Sequence, residues 1–306
     1  MKAAIAGGTG FIGKKLTAEL IQNGYDVYIL TRNTDNKKER DHIHYVRWLS
    51  DGAEPENELH GIDIFINLAG ESLNSGRWTD ERKKRILDSR MISTREIIRI
   101  MTSLPKKPAV LINASAIGIY PIADTETFKE TSPALGQGFL AHTVNMWEEE
   151  AIQADKAGIR TVLTRFGIIL GTEDGALPRM AMPYKLFVGG KIGTGHQWMS
   201  WIHVNDVVRA IRFAGENESL QGPLNVTAPN PVHMNDLGKT LAKVLSRPHW
   251  LFIPALALKA GLGEMSTLIL DGQKVLPEKL LQSGFQFKFP LVRGALDDLY
   301  KGSVHK

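Results

Sequence analysis

An apolar run, Ala3-Ala4-Ile5-Ala6, leads straight into Gly7-Gly8-Thr9-Gly10-Phe11-Ile12-Gly13, and no other stretch restricts the fold as much. Gly7 suits a tight turn out of a strand. Gly10 leaves the backbone open to a pyrophosphate, and Gly13 lets a following helix pack closely. From Lys14 to Ile21, Leu16, Leu20 and Ile21 fall on one helical face. Glycines so placed between a strand and a helix predict a dinucleotide-binding turn, in which free N–H groups and the helix dipole favour the anion.

The rest of the chain alternates. Asp26 to Thr31, Ile62 to Asn67, Ala109 to Ala114 and Arg160 to Arg165 read as strands, apolar enough for a parallel sheet covered on both faces. Thr79, followed by Asp80 and Glu81, signals a capped helix running to Leu104, and Phe139 to Ala157 reads as another. Asn33 to Arg40 reads as a polar loop, and Lys37-Lys38-Glu39-Arg40-Asp41 as a solvated face. Beyond Gly171, glycine and proline become frequent, with helices expected at Asn205 to Ala214 and Asp236 to Leu245. The expected fold is α/β: a doubly wound, Rossmann-like parallel sheet with a smaller C-terminal substrate lobe. Residues 1–171 are expected to form the dinucleotide-binding part, rejoined around 200–228, and 172–306 the lobe.

Composition removes several function classes. With 306 residues, 43% hydrophobic and 23% charged, the chain has material for a large core. Its net charge of +4 is scattered among acids without an aromatic-interleaved stripe, so nucleic acid is not an expected partner. Without cysteine there is no thiolate nucleophile, and the nine histidines are dispersed, so no metal site is expected. The apolar run Leu251 to Leu258 is broken by Pro254 and ended by Lys259, so no membrane span is expected, and Met1 to Ile5 is too short for a signal-peptide core. The expectation is a cytoplasmic protein acting on a small molecule, as a monomer or homodimer. The helices starting at Thr79 and Phe139 are either a dimer seam or internal core.

The end of the second strand reads the adenosine ribose, and an acidic residue there would favour NAD. Here Thr31-Arg32 stands at that point, a hydroxyl and a guanidinium suited to a 2′-phosphate, so NADP is the expected cofactor; a plain surface arginine is the alternative.

With the glycine turn, Asn67-Leu68-Ala69-Gly70-Glu71-Ser72 and Ser115 make the chain resemble the extended short-chain dehydrogenase/reductase superfamily. More closely, it resembles the atypical "epimerase family" proteins, which are NAD-dependent epimerase/dehydratase-like. That likeness rests on Arg77-Trp78, Asp88-Ser89-Arg90, Trp147-Glu148, Arg165 to Gly171 and Trp201-Ile202-His203. Leu270 to Pro277 and Gly284-Phe285-Gln286-Phe287 resemble that subfamily's C-terminal domain of unassigned function, at about 247–300. The resemblance implies that Gly7, Thr9, Gly10, Phe11, Ile12 and Gly13 hold pyrophosphate and that Thr31 and Arg32 hold the ribose phosphate. Leu68, Ala69, Gly70 and Glu71 line the adenosine side, and Arg90 and Ile169 also meet the cofactor.

One departure stands out. Active members of the superfamily move a proton with a Tyr-x-x-x-Lys pair on the helix after the fifth strand. Counted back from Trp147-Glu148, those positions hold Leu140 and Val144. Ser115 and Tyr120 are the substitute candidates, each with a bland alternative as strand-end bonding or packing, and His142 lies on the far side of the helix. Trp201, His203 and Asp206 are expected near the junction of the lobes, Asp206 reading as a cap of its own helix. The implied activity is an NADP(H)-dependent oxidoreductase or epimerase on a small substrate, nucleotide-linked or sugar-like molecules being the candidates; a non-catalytic NADP(H) sensor is the alternative.

Overall fold

The computed structural model describes residues 1–302 with the exception of Asn36 and Glu39, so Glu39 of the expected charged face lies outside the described residues. The central sheet is formed by β1 (Lys2–Ala6), β2 (Asp26–Thr31), β3 (Ile43–Arg47), β4 (Ile64–Asn67), β5 (Val110–Ala116), β6 (Arg160–Phe166) and β7 (Gly222–Val226). All pairs are parallel, in the order β7-β6-β5-β4-β1-β2-β3. The winding direction therefore reverses between β1 and β4, which opens a crevice at the carboxyl ends of the strands.

The helices that matter here are α1 (Phe11–Gln22), α2 (Asp80–Ser103), α3 (Gly138–Ala151), α4 (Ala176–Lys185), α5 (Val204–Glu216) and α6 (Met234–Leu245). Alternation along the strands sorts the core. Ile5, Ile29, Ile66 and Ile112 pack with Leu16 and Leu20 of α1 and Val207 and Ile211 of α5. Leu30, Phe65 and Leu111 pack on the opposite face against Ile97, Ile100 and Met101 of α2. Both faces are covered, which is why the strands lack a polar side.

Local signals held where their cause was local. Thr79 Oγ1 accepts the Arg82 N–H at 3.3 Å and caps α2. The helix expected from Phe139 to Ala157 divides: α3 ends at Ala151, a tighter 3-10 run spans Ile152–Ala157, and Gly158 at φ +77° stops it. Strand β3 was not among the expected strands. It lies at the sheet edge with Val46 as its one fully buried residue, so its sequence carries little apolar pattern.

Beyond β6, Ile168–Leu170 pairs with Trp201–His203. Leu177, Ala181, Leu241, Ala295 and Leu296 form a separate core beneath α4, α6 and the last helix, Val292–Lys301. Asp206 does not cap its own helix. The His203 ring Nδ1 does so, accepting the Asn205 N–H at 3.1 Å. Asp206, fully buried, instead accepts the N–H groups of Lys288 and Phe289 at 2.9 and 2.8 Å, tying the C-terminal segment to α5.

Candidate functional site

The glycine turn is shaped by close approaches. Gly7 sits at φ +81°, and a Cβ there would come 2.7 Å from the Leu68 carbonyl oxygen. A Cβ on Gly13 would come 2.3 Å from the Gly7 oxygen, so the first turn of α1 rests directly on the loop backbone. Gly10 caps α1 in an extended conformation with no side chain on the first N–H groups, and Thr9 and Gly10 are exposed. A bare, exposed helix start of this kind fits a pyrophosphate. The Phe11 ring lies over Gly171, where an added Cβ would come 2.3 Å from its Cζ, and Ile12 is half-buried beside it.

The neighbouring strand ends supply the other expected residues. Thr31 Oγ1 donates to the Asn33 carbonyl at 3.0 Å, and Arg32 follows it, exposed. At the end of β4, Leu68 N–H donates to the Ala6 oxygen at 2.9 Å, and Ala69 N–H donates to Asn67 Oδ1 at 3.1 Å, holding that loop beside the turn. The Glu71 carboxylate pairs with Arg82 at 3.2 Å and Arg85 at 3.6 Å. Arg90 packs on Gly70, with its guanidinium 5.0 Å from the Trp147 ring, and donates to the carbonyls of Ile86 and Glu71 at 2.9 and 3.2 Å. Burial lowers its pKa to about 10, which leaves it a cation at neutral pH.

A cleft of about 540 Å³ opens beyond these residues, with Arg90, Tyr120, Leu140, Val144, Trp147 and Asp271 among its lining. The face of α3 that would carry the tyrosine and lysine does line this cleft, with Leu140 and Val144 in their places. His142 is exposed.

Neither expected substitute offers a free hydroxyl. Register aligns Ser115, Arg165 and Asn225 in one row across β5, β6 and β7. Ser115, 2% exposed and off the cleft wall, donates to Glu148 Oε1 at 2.5 Å. The Tyr120 hydroxyl donates to Asn225 Oδ1 at 2.9 Å and accepts from Arg165 Nη1 at 2.8 Å, and burial raises its pKa. Both hydroxyls are thus engaged in a buried network rather than presented to a ligand.

Asp271 is the group that sequence reasoning missed. It follows the short helix Thr267–Leu270, and burial raises its pKa, only partly offset by Lys259. Among the described residues its carboxylate has no hydrogen-bond or ion-pair partner, whereas the other acid of the cleft, Glu264, pairs with Lys83. Its own N–H donates to the Thr267 carbonyl at 3.1 Å, and the chain after it is held in place. A Cβ on Gly272 would come 2.1 Å from the Trp198 oxygen, and Gln273 Nε2 donates to the Tyr120 carbonyl at 3.1 Å. The signal was the Leu270-Asp271-Gly272-Gln273 stretch, an acid followed by a glycine that only close packing explains.

Residues 3–226 match the model of the NAD dependent epimerase/dehydratase family, and residues 253–299 match a domain of unknown function, DUF1731. The Epimerase family protein YfhF of Bacillus subtilis is 51% identical over 299 residues, covering 98% of each chain. A crystal structure of the human epimerase family protein SDR39U1 (isoform2) with NADPH superimposes with a TM-score of 0.86 at 29% identity, over 98% of this chain and 99% of that one. The UDP-glucuronic acid 4-epimerase of Bacillus cereus, solved with UDP-glucuronic acid and NAD, shares the fold, with a TM-score of 0.78 at 16% identity over 98% of each chain.

Proposed function

We propose, for a chain that belongs to the NAD dependent epimerase/dehydratase family, an NADP(H)-dependent oxidoreductase or epimerase of the atypical extended short-chain dehydrogenase type. The observation that carries this reading is the bare N-terminus of α1 at Gly10 beside the exposed Arg32. A human relative, 29% identical across nearly the whole chain, was solved with NADPH. Gly7, Thr9, Gly10, Phe11, Ile12 and Gly13 hold the pyrophosphate, Thr31 and Arg32 the 2′-phosphate, and Leu68, Ala69, Gly70 and Glu71 the adenosine side. Arg90 and Ile169 also meet the cofactor.

When bound, the cofactor supplies or accepts hydride in carbonyl–alcohol interconversion. The chain must move the accompanying proton, and Asp271 takes this role in place of Ser115 and Tyr120. Its raised pKa keeps a larger protonated fraction at the substrate oxygen than an exposed aspartate would. Arg90 adds positive charge along the same wall.

One observation favours a second reading, a non-catalytic NADP(H) sensor: Leu140 and Val144 leave the usual proton-transfer face of α3 apolar. A sensor must bind NADPH and NADP⁺ with different affinity, because equal affinity shifts no equilibrium. Calorimetric titration with NADPH, NADP⁺ and NADH separates the cases. Tight, phosphate-dependent binding of both redox forms, followed by substrate-dependent loss of NADPH absorbance, is the expected result; no binding of any of the three removes the cofactor from the account.

A further inference from the structure

The reaction cleft does not end at Asp271. Leu73, Gly167, Ile168 and Leu268 also line a second cavity of about 700 Å³, within the usual range for a small-molecule pocket. Phe11, Ile12 and Ile169 form part of its wall, and most of the remainder comes from α4, strand Gly190–Ile192, α6 and the helices Ala255–Leu262 and Thr267–Leu270, with Met199 and Met265 beside them. Met180, Met199, Met234, Leu241, Leu258 and Ile269 give this wall its character. Methionine makes an adaptable apolar surface without imposing one shape.

Away from Phe11 and Ile12, which face the cofactor's pyrophosphate, the wall is poorly suited to a second nucleotide. A diphosphate needs several cations or N–H donors, and a charge buried without them is costly. Arg179 is the only cation lining the cavity among the described residues; it is exposed, and its Nη1 donates to the Asn74 carbonyl at 2.7 Å. The Tyr184 hydroxyl is bonded to His249 Nδ1 at 3.0 Å.

A second observation points the same way. Leu186, Phe187 and Val188, directly after α4, are exposed, as are Phe252, Leu256 and Trp250, the last at 70%. Trp250 Nε1 donates to the Phe187 carbonyl at 2.9 Å, and strand Leu251–Ile253 pairs with Gly190–Ile192. These residues are continuous in sequence with Pro183, Tyr184, Gly190, Ile253 and Leu258 of the cavity wall, so an exposed apolar collar adjoins an apolar chamber. Contiguous exposed apolar surface of this kind marks a place where an apolar molecule is met.

We propose that the second cavity seats a hydrocarbon chain carried by the substrate. The substrate is then an amphiphile, with a carbonyl or hydroxyl head at Asp271 and an apolar chain running past Gly167 and Ile168 into the methionine-lined chamber. This rests on the reading of the cleft as the reaction site, and it replaces the nucleotide-linked sugar with an apolar-chain alcohol, aldehyde or ketone as the substrate class.

The test is calorimetric titration of the NADPH-loaded protein with straight-chain alcohols from hexanol to decanol, and with UDP-glucose. Each added methylene should tighten binding about fourfold until the chamber is filled, while UDP-glucose gives no heat. Met180→Trp, which fills the chamber from a half-buried position, should remove the gain for decanol while leaving NADPH affinity unchanged. If that variant unfolds, Leu258→Glu serves instead, and its carboxylate should weaken decanol in the same direction. Affinity independent of chain length, or UDP-glucose binding that either variant weakens, would overturn the proposal. NADPH is titrated first: failure there sinks the cofactor reading alone, because the alcohol series on the cofactor-free protein still reports on the chamber.

Discussion

Arg165 holds Glu148 through two parallel hydrogen bonds, Nε to Oε1 at 2.8 Å and Nη2 to Oε2 at 2.7 Å, with both residues buried. The pair clamps α3 to β6, and Ser115 and Tyr120 each bond to one of its members. Removing one partner strands the other charge. Glu148→Ala is expected to cost about 3–5 kcal/mol, read as a lowered midpoint in urea. Ser115→Ala, which leaves the ion pair intact, should cost about 1 kcal/mol; equal losses from the two variants would contradict the clamp.

The cofactor assignment is tested at Arg32. If its guanidinium binds the 2′-phosphate, Arg32→Ala weakens NADPH by roughly 10- to 100-fold, the loss of a charge-assisted contact of about 1.5–3 kcal/mol. NADH, which lacks that phosphate, should change little. Parallel titrations decide it, and equal weakening of both dinucleotides reduces Arg32 to a surface cation.

The turn itself makes a steric prediction. An added methyl at Gly13 would meet the Gly7 oxygen at 2.3 Å and Gly8 Cα at 2.6 Å, all of it backbone that cannot swing aside. Gly13→Ala should destabilise the protein by about 1–3 kcal/mol and abolish detectable NADPH binding at concentrations that saturate the unaltered protein. Unchanged affinity would mean that α1 does not form the pyrophosphate seat.

Asp271 carries a pH signature. A carboxyl that must be protonated to deliver a proton loses function as pH rises through its pKa, which burial raises above the ordinary aspartate value. Carbonyl reduction should therefore fall with rising pH at that step, and alcohol oxidation should rise. Asp271→Asn should lower kcat by about 10²–10⁴-fold and flatten that step, with NADPH affinity preserved. A variant that keeps both the rate and the step would move the proton to another group.

What was legible followed from how local each cause is. The glycine turn, the Thr79 cap and the apolar strands declare themselves within a few residues, and so does the loss of the tyrosine and lysine at Leu140 and Val144. The fates of Ser115 and Tyr120 were not legible, because they depend on a register that brings Arg165 and Asn225 alongside from strands far away in sequence. Asp206 misled for the same reason: as an acid early in a helix it resembles a cap, yet its partners, Lys288 and Phe289, lie more than eighty residues away. Asp271 gave only the weak signal of an acid before a closely packed glycine, because it is the fold that brings it into the cleft lined by Leu140 and Val144 of α3.

His203 gives the last prediction. Its ring is 1% exposed, tilted against Phe289 with the ring centroids 4.0 Å apart, and burial lowers its pKa from 6.5 to about 4 although Asp298, at 3.3 Å, pulls the other way. Between those values the unfolded chain binds a proton that the folded protein refuses, so stability falls as pH drops from 6.5 towards 4. The full effect is about 3 kcal/mol, complete below the folded pKa and absent above the unfolded one. His203→Asn keeps an acceptor for the Asn205 N–H at the start of α5, asparagine being a favoured cap, and removes the titration. Urea midpoints measured across this window should fall more steeply for the unaltered protein than for His203→Asn. Parallel curves would show that the acid sensitivity of the fold lies elsewhere.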